Sequence, residues 1–134
     1  MARNVVLIFG PPGAGKTTYA HTLGLTVYDR DDAQWHGDER LFVSEISKLA
    51  CDSNAQAAVI RTGSTSASRA KAAGQCLPTQ TVTMAVDPNT CIERVRARNR
   101  PFMKYQIDAI HKWWAEYNPS DSAGTALGRR SKEW

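Results

Sequence analysis

What this 134-residue chain lacks narrows it before any motif is read. Cysteine is scarce: Cys51, Cys76 and Cys91 have no CxxC spacing and cannot all be paired. Neither a disulfide framework nor a zinc pattern is supported, and free thiols in a reducing, cytoplasmic compartment are expected. His21, His36 and His111 have no mutual metal-ligand spacing either. No apolar run approaches the roughly 18 residues that a membrane span needs. Val5–Phe9 is too short for the core of a signal peptide, and no small-residue cleavage pattern follows it. A soluble protein with no membrane partner is therefore expected. Internal repeats are missing, and so is low-complexity sequence ahead of the tail.

A large excess of one charge is absent too. The formal net charge is +4, and hydrophobic residues make up an ordinary 42%. Distribution matters more. Acid gathers at Asp29, Asp31, Asp32, Asp38 and Glu39, and base at Arg94, Arg96, Arg98, Arg100 and Lys104. Arg129, Arg130 and Lys132 form a further basic group in the tail, which could touch a nucleic-acid backbone. Such positive segments favour an anionic ligand, a nucleotide or a nucleic acid; a solvated helix face is the plain alternative.

What is present is an alternation of strands and helices. Val5–Phe9 is a β-branched apolar run, the mark of a strand buried on both faces. A glycine-rich turn follows, then a helix from about Gly15 to Leu23 and a short strand at Leu25–Tyr28. Phe42, Ile46 and Leu49 fall at helical spacing within Glu39–Ala50. Ala57–Ile60 is a third strand, Ser66–Ala73 a short helix that Gly74 is expected to end, and Thr79–Val86 a fourth strand. Asp87-Pro88 starts a helix as N-cap and first-turn proline, and Pro101 stops it near Arg100. Tyr105–Tyr117 is the last helix. The pattern predicts an α/β fold, a parallel sheet with helices on both faces. Ligands in such sheets bind at the carboxyl ends of the strands.

At one such end, Gly10-Pro11-Pro12-Gly13-Ala14-Gly15-Lys16-Thr17 fits G-x-x-x-x-G-K-[ST] without mismatch, with a buried strand before it and a helix after it. The spacing has a physical basis. Glycines let successive backbone N–H groups point at phosphate oxygens, and the helix N-terminus adds partial positive charge. Lys16 is expected on the β- and γ-phosphates, with the Thr17 hydroxyl on Mg²⁺ and Thr18 beside it. ATP or GTP is thus the expected ligand. The AAA-type ATPases share this loop but need a second, helical domain, and GTPases need an Asn-Lys-x-Asp element that is absent. What remains is a minimal nucleoside- or polynucleotide-kinase-like core over residues 1–118, with a short lid at about 94–104 and a flexible tail at 119–134.

Val27-Tyr28-Asp29-Arg30-Asp31-Asp32 places a carboxylate turn behind the second strand, at the same sheet edge. A kinase must accept a proton from the attacking hydroxyl, and a carboxylate here suits that work. Strand–Arg-Asp-Asp–helix at this distance from a P-loop resembles the kinase domain of the bacteriophage 5′-polynucleotide kinases. The similarity continues through Asp87 and its helix, Arg98-Asn99, Ile107-Asp108 and the aromatic-rich last helix, and the kinase-like core it implies is three-layered, with a four-stranded parallel sheet of order 2-3-1-4. The resemblance implies that Asp31 is the general base for a 5′-hydroxyl of DNA or RNA. It also implies that lid arginines, Arg98 and Arg100 with Arg94 one turn before, reach the ATP phosphates. Arg30 would hold an acceptor phosphate; Gln34 stands where the family carries a further arginine for that task.

The third strand runs into Arg61-Thr62-Gly63-Ser64, where many P-loop proteins carry an aspartate that helps hold Mg²⁺. An arginine cannot bind a cation, so Arg61 and Thr62, with Arg69 farther on, are expected to face an acceptor phosphate. Three functions stay open. The first is transfer of the ATP γ-phosphate to a 5′-hydroxyl of nucleic acid. The second is a kinase for a nucleotide, nucleoside or other small hydroxyl compound. The third is a nucleotide-binding module or NTPase without transfer. Oligomeric state is not legible.

Overall fold

The computed structural model describes residues 2–119 and 125–127. The chain runs β1 (Asn4–Phe9), α1 (Lys16–Thr22), β2 (Thr26–Asp29), a 3₁₀ turn (Ala33–Trp35), α2 (Glu39–Ala50) and β3 (Gln56–Arg61). It continues with α3 (Ser66–Cys76), β4 (Gln80–Met84), α4 (Pro88–Arg98), α5 (Met103–Glu116) and β5 (Thr125–Leu127). The sheet is parallel in the order β2-β3-β1-β4-β5. Its first four strands have the expected order 2-3-1-4.

Alternation along β1 builds the two faces. Val5, Leu7 and Phe9 enter a core with Phe42, Ile46 and Leu49 of α2 and with Trp35, Ala72 and Cys76. Val6 and Ile8 join Ala20 of α1, Ala58, Ile60 and Val82 on the other face. A smaller cluster of Ala14, Cys91, Val95 and Ile110 packs α4 and α5 against the loop after β1. Because β1 is central and buried on both faces, the turn that leaves it is anchored to rigid backbone.

Helix starts follow side-chain chemistry. Asp38 accepts from the Arg40 and Leu41 N–H groups, Thr65 and Ser68 form a capping box, and Asp87 accepts from the Thr90 N–H ahead of α4. Two expectations are corrected. Helix α3 does not stop at Gly74 but continues to Cys76, where Leu77 turns left-handed and its N–H closes on the Ala73 carbonyl. Thr125–Leu127, assigned to a flexible tail, pairs with β4 as a fifth strand, which satisfies backbone groups at that edge. The rest of the tail, with Arg129, Arg130 and Lys132, lies outside the described residues. Among the described residues no helix is long and apolar enough to cross a membrane.

Candidate active site

The loop between β1 and α1 is held in shape from two sides. Gly13 has φ +79°, and a Cβ there would stand 2.6 Å from the Cys91 carbonyl oxygen, so only glycine allows the loop to lie against α4. On the open side the Lys16 ammonium donates to the Gly10 and Pro11 carbonyls at 2.7 and 2.9 Å. Burial pushes the Lys16 pKa down from 10.5 to about 8, against the opposing pull of Asp29 and Asp31. Arg98 is near enough for its charge to lower it further. Arg94, one turn earlier on α4, donates to the Gly13 carbonyl at 3.2 Å. Arg100 lies exposed past the end of α4, and Thr18 is exposed on α1. Cys91, buried beneath the loop, has its thiol pKa raised to about 11 by burial.

The turn after β2 divides its carboxylates between two tasks. Asp29, the last residue of the strand, accepts from the Thr17 hydroxyl at 2.9 Å through one oxygen and from the Asp31 N–H at 3.0 Å through the other. This Asx turn holds Asp29 against the loop and projects Asp31, exposed, into the adjoining cavity. The carboxylate beside Thr17 thus comes from strand two, not from the third strand, where sequence reasoning sought it. Thr17 and Asp29 fit a Mg²⁺ ion by their chemistry, as paired hard oxygen donors. Among the described residues no group of three or more His, Cys, Asp or Glu could hold a metal alone. That suits an ion held by one or two protein oxygens together with substrate phosphates.

A cavity of about 500 Å³ opens from Lys16, Asp29 and Asp31 toward the ends of β3 and α3. Arg30, Glu39, Arg61, Thr62, Ser68 and Lys71 also line it. Glu39 bridges the two arginines, accepting from Arg30 Nε at 2.9 Å and from Arg61 at 2.7 and 3.2 Å. The Arg61 bonds, then those of Arg30, hold its carboxyl below the ordinary carboxylate range against the effect of burial. The Arg61 guanidinium also lies 5.2 Å from the centre of the Phe42 ring.

The residues expected at the site divide accordingly. The Gly10–Thr17 loop, Asp31, Arg30, Arg61 and Thr62 meet around the cradle and cavity, and Arg94 and Arg98 flank the cradle. Arg69 is a correction. It is 3% exposed, donates to the Gly63 and Asn118 carbonyls and lies over the Tyr117 ring, so it clasps the end of α5 to the β3–α3 loop. It does not line the cavity. Gln34 is exposed on the 3₁₀ turn, also outside the cavity lining.

Sequence reasoning missed Asp29, Glu39, Ser68 and Lys71 as site residues. One signal was available: Asp29 and Asp31, two apart at a strand end, begin on the same side of the chain. Ser68 and Lys71 are three apart on one helix face, which shows only once the helix is docked.

No family model matches the chain, and no curated protein matches it in sequence. Solved structures do match in shape. A sugar kinase from Janibacter sp. HTCC2649 superposes with TM-score 0.68 at 16% identity, covering 95% of this chain and 84% of that one. A gluconokinase from Sinorhizobium meliloti 1021 gives 0.66 at 11%, covering 93% and 82%. Shikimate kinase from Bacteroides thetaiotaomicron gives 0.60 at 20%, covering 92% and 85%. At these identities the likeness establishes the fold. The chain has a P-loop kinase-like α/β fold, with the Gly10–Thr17 loop and the Asp29–Asp32 turn at one sheet edge.

Proposed function

We propose that this chain is a P-loop phosphotransferase that moves the γ-phosphate of ATP onto a hydroxyl of a small molecule. The carrying observation is the cavity of about 500 Å³ that joins Lys16 to Arg61 with Asp31 on its wall. That volume is within the roughly 300–1,000 Å³ of small-ligand sites. In this reading the loop amides and Lys16 bind the triphosphate, and Arg94 and Arg98 brace its outer end. Asp31 takes the proton as the acceptor oxygen bonds to the γ-phosphorus, and the bond to the β-bridging oxygen breaks to release the diphosphate. Mg²⁺, held through Thr17 and Asp29, would supply charge neutralisation on the phosphates.

The solved neighbours are named as kinases of gluconate, a sugar and shikimate, which supports a small acceptor over a nucleic-acid 5′ end. Incubation with labelled ATP and a panel of sugars, hydroxy acids, nucleosides, nucleotides and 5′-hydroxyl oligonucleotides tests the reading. Label on a small compound is the expected result. Label on oligonucleotides alone would restore the polynucleotide acceptor, and free phosphate without acceptor labelling would reduce the chain to an NTPase.

A further inference from the structure

The cavity also holds an ion cluster that transfer chemistry does not use. Two arginines, Arg30 and Arg61, meet there on one carboxylate, Glu39, which pairs with both, and a third cation, Lys71, lines the same cavity. Each guanidinium has a second support. Arg30 donates to the Gly37 carbonyl at 3.0 Å, and Arg61 rests over Phe42 at 5.2 Å. Both would therefore keep their places if Glu39 withdrew. Glu39 is 51% exposed at its side chain while Arg61 is 19% exposed, so the carboxylate is the solvated, displaceable member and the arginine the fixed one. Ion pairs at such exposure are weak.

We propose that Glu39 is an internal occupant of a phosphate subsite, and that the acceptor of the proposed kinase is a phosphate monoester whose phosphate displaces the Glu39 carboxylate from Arg30 and Arg61. The inference rests on the kinase reading for the word acceptor; the subsite itself stands on the cluster. A phosphate is favoured over a carboxylate by simple exchange. A second carboxylate would replace Glu39 like for like. A dianionic phosphate has three acceptor oxygens and can serve Arg30, Arg61 and Lys71 together. Glu39 then sets specificity: it neutralises the arginines against neutral polyols and monocarboxylates, and yields only to the stronger anion.

The test is a titration of the labelled full chain with inorganic phosphate, followed by backbone amide shifts in nuclear magnetic resonance, with acetate as the carboxylate probe. Shifts at Glu39, Arg61 and Lys71 report the subsite, and shifts at Gly13, Gly15 and Lys16 report the cradle separately. Phosphate is expected to move both sets. Glu39→Gln should tighten the subsite response by about three- to tenfold, leave the cradle response unchanged and benefit acetate less. Arg61→Gln should abolish the subsite response alone. No phosphate response at the subsite, or an unchanged or weaker one in Glu39→Gln, overturns the proposal, as does an equal gain for acetate. If Glu39→Gln does not fold, Glu39→Ala also removes the carboxylate and is read by the same criteria. Failure of phosphoryl transfer with these responses intact would strike the kinase reading and leave the subsite standing.

Discussion

Asp29 and Asp31 are the same residue type two positions apart, yet their surroundings separate them. Asp29 spends both oxygens on Thr17 and on the turn, whereas Asp31 faces the cavity. Asp31→Asn is therefore expected to lower phosphoryl transfer by about 10²–10⁴-fold, the usual worth of a general base. Nucleotide affinity, read by calorimetry, should stay nearly constant; wild-type turnover would remove Asp31 from the mechanism. Lys16 offers a second residue-scale measurement. Its pKa of about 8 lies below the ordinary 10.5, so the folded chain binds fewer protons than the unfolded one between those values. Stability attributable to Lys16 accordingly rises with pH through that window. Phosphates placed beside Lys16 favour its charged form, so nucleotide binding near pH 8–9 should take up protons. Calorimetric titrations in two buffers of different ionisation enthalpy measure this, and identical heats would refute the placement of Lys16 on the phosphates.

At the scale of elements, α3 and the loop before it form one wall of the cavity, and the end of α5 braces that loop from behind. The indole N–H of Trp113 donates to the Thr62 carbonyl at 2.7 Å, Ser64 donates to Glu116 at 3.0 Å, and Arg69 reaches Asn118. Arg69 reads in sequence as one more basic residue near the site. Its burial against Tyr117 follows from the end of α5 docking on the β3–α3 loop, a contact between segments about fifty residues apart that no local pattern reveals. Gly74 teaches a similar lesson. Glycine commonly ends helices, but Leu77 takes the left-handed position here and Gly74 stays inside α3, with nothing within 4 Å of where its Cβ would be. Gly74→Ala should stabilise the protein by about 0.4–1 kcal/mol. Thermal melts check this, and a lowered midpoint would show that the helix does end there.

For the whole molecule, the parallel sheet brings three separate turns, after β1, β2 and β3, to one edge. Helices α4 and α5 pack over the loop after β1 and bring Arg94 and Arg98 to it. Arg98→Gln is expected to slow turnover by about 10²-fold, as loss of one charge-stabilising donor does. Nucleotide affinity should change far less, and an equal loss in affinity and turnover would make Arg98 a simple binding residue.

The amino-acid order alone determined the glycine-rich loop and the positions of the first four strands along the chain. Both rest on local signals, namely glycine spacing, an apolar run and alternating periodicity. Thr125–Leu127 escaped because three residues carry no periodicity, and their pairing depends on an edge that β4 provides. Only the tertiary structure decided which charges share the cavity. Asp29 went to Thr17, Glu39 to two arginines and Arg69 into the core, because a charge's role is set by its neighbours in space, and those come from elements far apart in the chain.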